Sequence, residues 1–133
     1  MLTIHSSTLL RQALVSDAAT AAACGAFMLV GAGLLSGTLG LPTVLLAVAG
    51  TALLPCALVV GYLGVIPQAP RTMVLAVIGA NLLWAMDSAL LLVSGYVEPT
   101  RAGTVFVIAQ ALVTLMYAGL QAMGLHRSAP VAA

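Results

Sequence analysis

The chain has 133 residues, 62% of them hydrophobic and only 5% charged. Soluble domains carry about 25% charged residues, and four basic plus three acidic side chains cannot cover a water-facing globule of this length. The composition therefore excludes an ordinary soluble domain and points to the bilayer as solvent. A formal net charge of +1 with no basic run excludes nucleic acid as a partner and a polybasic lipid-headgroup site.

The breakers divide the chain into one domain, residues 1–133. The fold class expected is all-α: an integral membrane protein built as an antiparallel bundle of four transmembrane helices, at about 12–35, 43–66, 72–94 and 102–124. At ~1.5 Å per residue, ~20 residues cross a ~30 Å hydrocarbon layer, and each run is long enough. Residues 1–11 and 125–133 read as short polar tails, the second one frayed.

In the first span, Gln12, Ser16 and Asp17 precede Ala21-Ala22-Ala23-Cys24-Gly25. That segment is too polar for the core of a cleaved signal, so the helix is expected to remain as a span. Gly37, Gly40 and Pro42 end it. Pro55 falls near the middle of the second span, where it frees the carbonyl of Thr51 and favours a kink. Pro67 and Pro70 separate the second span from the third, and Tyr96 follows the third like an interfacial aromatic. Consecutive helices joined by such short loops are expected to be antiparallel neighbours.

Loop charge gives orientation. Arg11, Arg71 and Arg127 fall on one side and Arg101 on the other, which is expected to place both termini in the cytoplasm, as in a multi-pass protein of the bacterial inner membrane; a dual-topology protein would show a similar balance. Arg11 and Arg71 each begin a span that ends at Ser-Gly (Ser36-Gly37 and Ser94-Gly95), with Pro42 and Pro99 following, a pattern shared by a parallel repeat of two hairpins and by chance in a biased composition.

The polar residues within the spans sort by helical face. On the fourth span Gln110, Thr114, Tyr117 and Gln121 form a continuous stripe that should face other helices, either to hold the bundle together or to line a polar path. On the third, Asn81, Trp84, Asp87 and Ser88 share a broad sector. An ionised acid at the centre of a span costs roughly 2.5–3.5 kcal/mol on insertion scales. Asp87 is thus either a proton or cation site or an acid satisfied by a neighbour or by interfacial water. On the first span Asp17, Thr20, Cys24 and Met28 share a face, with Asp17 near the interface. Depth counting sets Asp87 beside Gln110 and Asn81 beside Thr114, with Tyr117 and Gln121 near Asp17. The three polar faces are therefore expected to converge on one interior line.

Small residues four apart, such as Ala21 and Gly25 or Ala57 and Gly61, favour close packing. Cys24 and Cys56 fall at similar depth and are expected to stay reduced. Neither histidine lies within a span and no Cys-x-x-Cys or glycine-rich phosphate loop occurs, so neither a metal, a cofactor nor an enzyme is expected.

In length, helix count, an acid on the first helix, and Trp84 and Tyr117 on later ones, the format resembles the small multidrug resistance transporters. That family carries a glutamate deep in the first helix. Here the acid is Asp17, nearer the interface, and no stretch around it matches, so the likeness stops at format.

The function expected first is a non-enzymatic accessory, scaffolding or oligomer-forming component. It would act through its helices on membrane lipids and on copies of itself or a larger membrane complex. Second is a homodimeric proton- or cation-linked transporter using Asp87, with Trp84 and Tyr117 on the substrate and Asn81, Ser88, Gln110, Thr114, Gln121 and Asp17 along the route. Third is a binder of a lipid-soluble ligand such as a quinone or pigment.

Overall fold

The computed structural model describes residues 2–132. Its elements in chain order are β1 (Thr3–His5), α1 (Thr8–Val30), α2 (Ala32–Leu39), α3 (Thr43–Val65), β2 (Gln68–Pro70), α4 (Arg71–Val93), α5 (Arg101–His126) and β3 (Ala129–Pro130). The helices α1, α3, α4 and α5 are each long and apolar enough to cross a membrane.

The first helix begins earlier than its hydrophobic run. Ser7 is its N-cap, and its Oγ accepts the Leu10 N–H at 3.2 Å, satisfying one of the free donors of the first turn. Arg11 therefore lies inside α1. Its Nε and Nη2 donate to the carbonyls of Gly64 and Val65 at 3.3 and 3.2 Å, at the C-terminus of α3, where free carbonyls and the helix dipole favour a cation. At the other end the span divides. Gly31 separates α1 from the short α2, so the expected helix to residue 35 is two pieces. The second span runs through Pro55 as one helix, Thr43–Val65.

Gly40 ends α2 in the left-handed conformation, at φ 68°. A Cβ there would also meet the backbone of the loop before α5, 2.8 Å from the Thr100 nitrogen. That loop is tied down because Thr100 N–H donates to the Leu39 carbonyl at 2.9 Å and Thr100 Oγ1 to that of Thr38 at 2.7 Å. Thr100 is also the N-cap of α5, accepting from Gly103 N–H at 3.1 Å.

The two tails and the loop before α4 are not loose ends. β1 is the central strand of a three-stranded antiparallel sheet, with Ile4 opposite Ala69 of β2 and opposite Pro130 of β3. Val131 N–H donates to the Thr3 carbonyl at 2.9 Å, so the C-terminal segment expected to fray is held through that residue. Burial drives the pairing: Ile4 and Ala69 close over Leu10, Leu14, Leu63 and Val74 at that end of the helices.

Glycine sets the closest helix pair, α1 with α3. A Cβ on Gly50 would lie 2.7 Å from the Gly25 carbonyl, and one on Gly25 2.9 Å from that of Gly50, so the two backbones meet directly. Further along, Gly64 lies against Val15 and Leu14. The closest partner of α4 is α5, and α1 also packs on α5. The expectation that α3 and α4 would be close neighbours holds only near their connection, where Leu63 meets the cluster containing Val74 and Val77. Beyond it they form two walls of a cavity.

Candidate functional site

The polar residues of the first, third and fourth long helices meet at Asp17. Its Oδ2 accepts from Asn81 Nδ2 at 2.8 Å and from Gln121 Nε2 at 2.6 Å, and Asn81 Nδ2 also donates to Gln121 Oε1 at 3.1 Å. Asp17 and Gln121 are buried, Gln121 completely. One carboxylate and two amides thus join α1, α4 and α5. Two N–H donors on one carboxylate oxygen are charge-assisted bonds, stronger than amide pairs. Asp17 Oδ1 and Asn81 Oδ1 have no protein donor among the described residues.

A second network lies farther along α4 and α5. Trp84 Nε1 donates to Gln110 Oε1 at 2.6 Å. Gln110 Nε2 donates to Ser88 Oγ at 2.8 Å and to the Val107 carbonyl at 3.1 Å, and Ser88 Oγ donates to the Trp84 carbonyl at 2.8 Å. Between the two networks, Thr20 Oγ1 and Tyr117 Oη lie 2.8 Å apart, joining α1 to α5. Thr20 also donates to the Ser16 carbonyl at 2.9 Å, so the hydrogen between the two hydroxyls comes from Tyr117. Thr114 turns back onto its own helix, donating to the Gln110 carbonyl at 2.7 Å.

The convergence expected of the three polar faces is present, but its registration differs. Asn81 meets Asp17 and Gln121 rather than Thr114. Gln110 meets Trp84 and Ser88 rather than Asp87. Asp87 is exposed and belongs to neither network. Depth set it opposite Gln110, and both border one cavity, but the Gln110 amide bonds to Trp84 and Ser88 instead.

A cavity of about 480 Å³ borders the Asp17 network. α1 contributes Asp17, Thr20 and Cys24, and α5 contributes Gln110, Thr114 and Tyr117. Its α3 wall includes Pro55, Cys56 and Val59 and its α4 wall Met73, Ala76 and Ala80, all exposed, so the cavity opens between these two helices. Nearly all of the lining is apolar, and it contains one acid and no Arg or His. Cys24 and Cys56 both border it as free thiols. A second cavity, about 290 Å³, holds Asp87 and Ser88 among apolar residues that include Leu46 and Phe106. Trp84 and Gln110 border both cavities, so their hydrogen bond stands between the two.

The contribution of α3 was not legible in the sequence. Pro55, Cys56 and Val59 carry no polar pattern, and only the mid-helix proline marks the place. Among the described residues no group of three or more His, Cys, Asp or Glu could hold a metal ion. The chain matches no family model, no curated protein and no solved structure.

Proposed function

We propose that this chain is a non-enzymatic multi-pass membrane protein that holds a lipid-soluble ligand in the cavity beside Asp17. On this reading its four long helices form an antiparallel bundle in a bacterial inner membrane, with the strand-bearing end and both termini in the cytoplasm. The observation that carries it is the 480 Å³ cavity, mostly apolar in its walls, with polar side chains of α1, α4 and α5 along one side, and open between α3 and α4. That volume and character suit a small-molecule site, and an opening between two lipid-facing helices admits a ligand from the bilayer itself. Asp17 would fix the ligand's polar end, and Trp84 and Tyr117 would border its body.

Transport is the second reading. It is favoured by the second cavity on the far side of the Trp84–Gln110 bond, because two cavities parted by one hydrogen-bonded pair would become a route if that bond opened. The geometry supports Asp17, rather than Asp87, as the acid of such a route. Association with itself or with a larger membrane complex fits the scarcity of loop charge.

Purification in mild detergent followed by native mass spectrometry separates these readings. The expected result is a low-mass ligand retained by the wild type and lost from Ala80→Phe, which fills the cavity from its exposed wall. A protein that carries no small molecule and co-purifies with larger subunits would favour the accessory role instead.

A further inference from the structure

Every strong donor hydrogen that lines the larger cavity is already used inside the protein. Both Asn81 amide hydrogens go to Asp17 and Gln121, the Trp84 N–H goes to Gln110, and both Gln110 amide hydrogens go to Ser88 and the Val107 carbonyl. The hydroxyls of Thr20, Thr114 and Tyr117 are likewise committed. Only the weakly donating thiol of Cys56 remains free, since that of Cys24 faces Met28 Sδ at 3.7 Å. What the lining still offers is acceptors: Asp17 Oδ1, Asn81 Oδ1 and the hydroxyl oxygens of Tyr117 and Thr114, which donate within the protein and accept nothing there.

A ligand whose polar end only accepts hydrogen bonds, such as a quinone, an ester or a carboxylate, would find no donor here and would leave its oxygens unpaired. A fatty acid would also place a second negative charge beside Asp17. The lining holds no cation to balance that residue. A head group that brings both hydrogens and a positive charge meets both needs.

Resting on the ligand-binding reading above, we infer that the cavity takes a protonated primary amine carried on an apolar chain, drawn from the bilayer. Its N–H groups donate to Asp17 Oδ1 and Asn81 Oδ1, and its chain lies among Pro55, Val59, Met73 and Ala76. A trimethylammonium head has the charge without the hydrogens and fits less well. An alcohol has one hydrogen without the charge.

The test uses the emission of Trp84, the only tryptophan, in full-length protein in phosphatidylcholine nanodiscs. Dodecylamine, dodecanol, dodecyltrimethylammonium and dodecanoate are titrated in, with protein-free discs correcting for partition. Dodecylamine is expected to bind about tenfold or more tighter than the alcohol and the trimethylammonium, the scale of one charge-assisted hydrogen bond. Asp17→Asn should erase that preference, and Ala80→Phe should weaken all four probes together. Should Asp17→Asn fail to fold, the ranking in the wild type decides alone. Equal binding of all four overturns the amine and leaves the cavity reading standing. No change in Trp84 emission with any of them overturns both.

Discussion

Gln121 Nε2 donates to Asp17 Oδ2 at 2.6 Å, between residues 104 positions apart in the chain. Gln121 is fully buried. Packing does not call for a glutamine there, since a leucine fills the same space without a polar group to satisfy. Its amide is a donor aimed at a carboxylate, and with Asn81 it fixes which oxygen of Asp17 remains open to the cavity.

Removing that donor should therefore be costly. Hydrogen bonds between membrane helices average only about 0.6 kcal/mol, but a bond to a charged group is worth about 1.5–3 kcal/mol. Gln121→Leu is expected at the higher value, read as reversible unfolding in mixed micelles. Paired with Asn81→Leu it should be non-additive by about 0.5 kcal/mol or more, because both act on the same oxygen. Strict additivity would mean that the two amides hold Asp17 independently.

The two acids of the long helices, Asp17 and Asp87, should behave differently. Asp87 is exposed and has no hydrogen-bond partner among the described residues, so Asp87→Asn should change stability by no more than about 0.5 kcal/mol. Asp17→Asn replaces a doubly bonded carboxylate and should lower the unfolding midpoint clearly in the same assay. A larger effect at Asp87 would restore it as the central acid.

Gly50 should not tolerate a methyl group. Its Cβ would lie 2.7 Å from the Gly25 carbonyl and 2.8 Å from the Leu29 nitrogen, both backbone atoms that cannot turn aside. Gly50→Ala is expected to destabilise by about 1–3 kcal/mol through overpacking. Gly79 and Gly119 have nothing within 4 Å of a new Cβ, so alanine there should be neutral or slightly favourable. Thermal melts of the three variants check the ordering.

Thiol chemistry reports the mouth of the cavity. Cys56 is exposed on its α3 wall, whereas Cys24 is half-buried and faces Met28. A membrane-soluble maleimide should modify Cys56 first, by peptide mass mapping, and Ala80→Phe should slow it. Faster reaction at Cys24 would place the opening elsewhere.

Much of this arrangement was legible in the residues. The four long helices follow from runs of apolar residues and their breakers, and the stripe of Gln110, Thr114, Tyr117 and Gln121 was visible because helical spacing sets side chains on one face. Pairing was less legible. Asp87 and Gln110 share a depth, but rotation about the helix axis, which depth counting ignores, gives Gln110 to Trp84 and Ser88. The α1–α3 contact pairs Gly25 with Gly50 across two helices, which no spacing within one helix encodes, although Gly50, Ala57 and Gly64 recur at sevens on the buried side of α3. The sheet formed by the tails rests on two- and three-residue strands that carry no periodicity and owe their pairing to the buried end of the helices.

On the proposed function, the space beside Asp17 takes a ligand from between α3 and α4. Quenching of Trp84 by a brominated alkyl probe added to nanodiscs measures it most directly. The expected result is saturable quenching in the wild type, at a probe concentration where bulk lipid quenching is negligible, and its loss in Ala80→Phe. Quenching that rises linearly with probe and is identical in both proteins would show Trp84 sensing ordinary lipid and would rule out a ligand site beside Asp17.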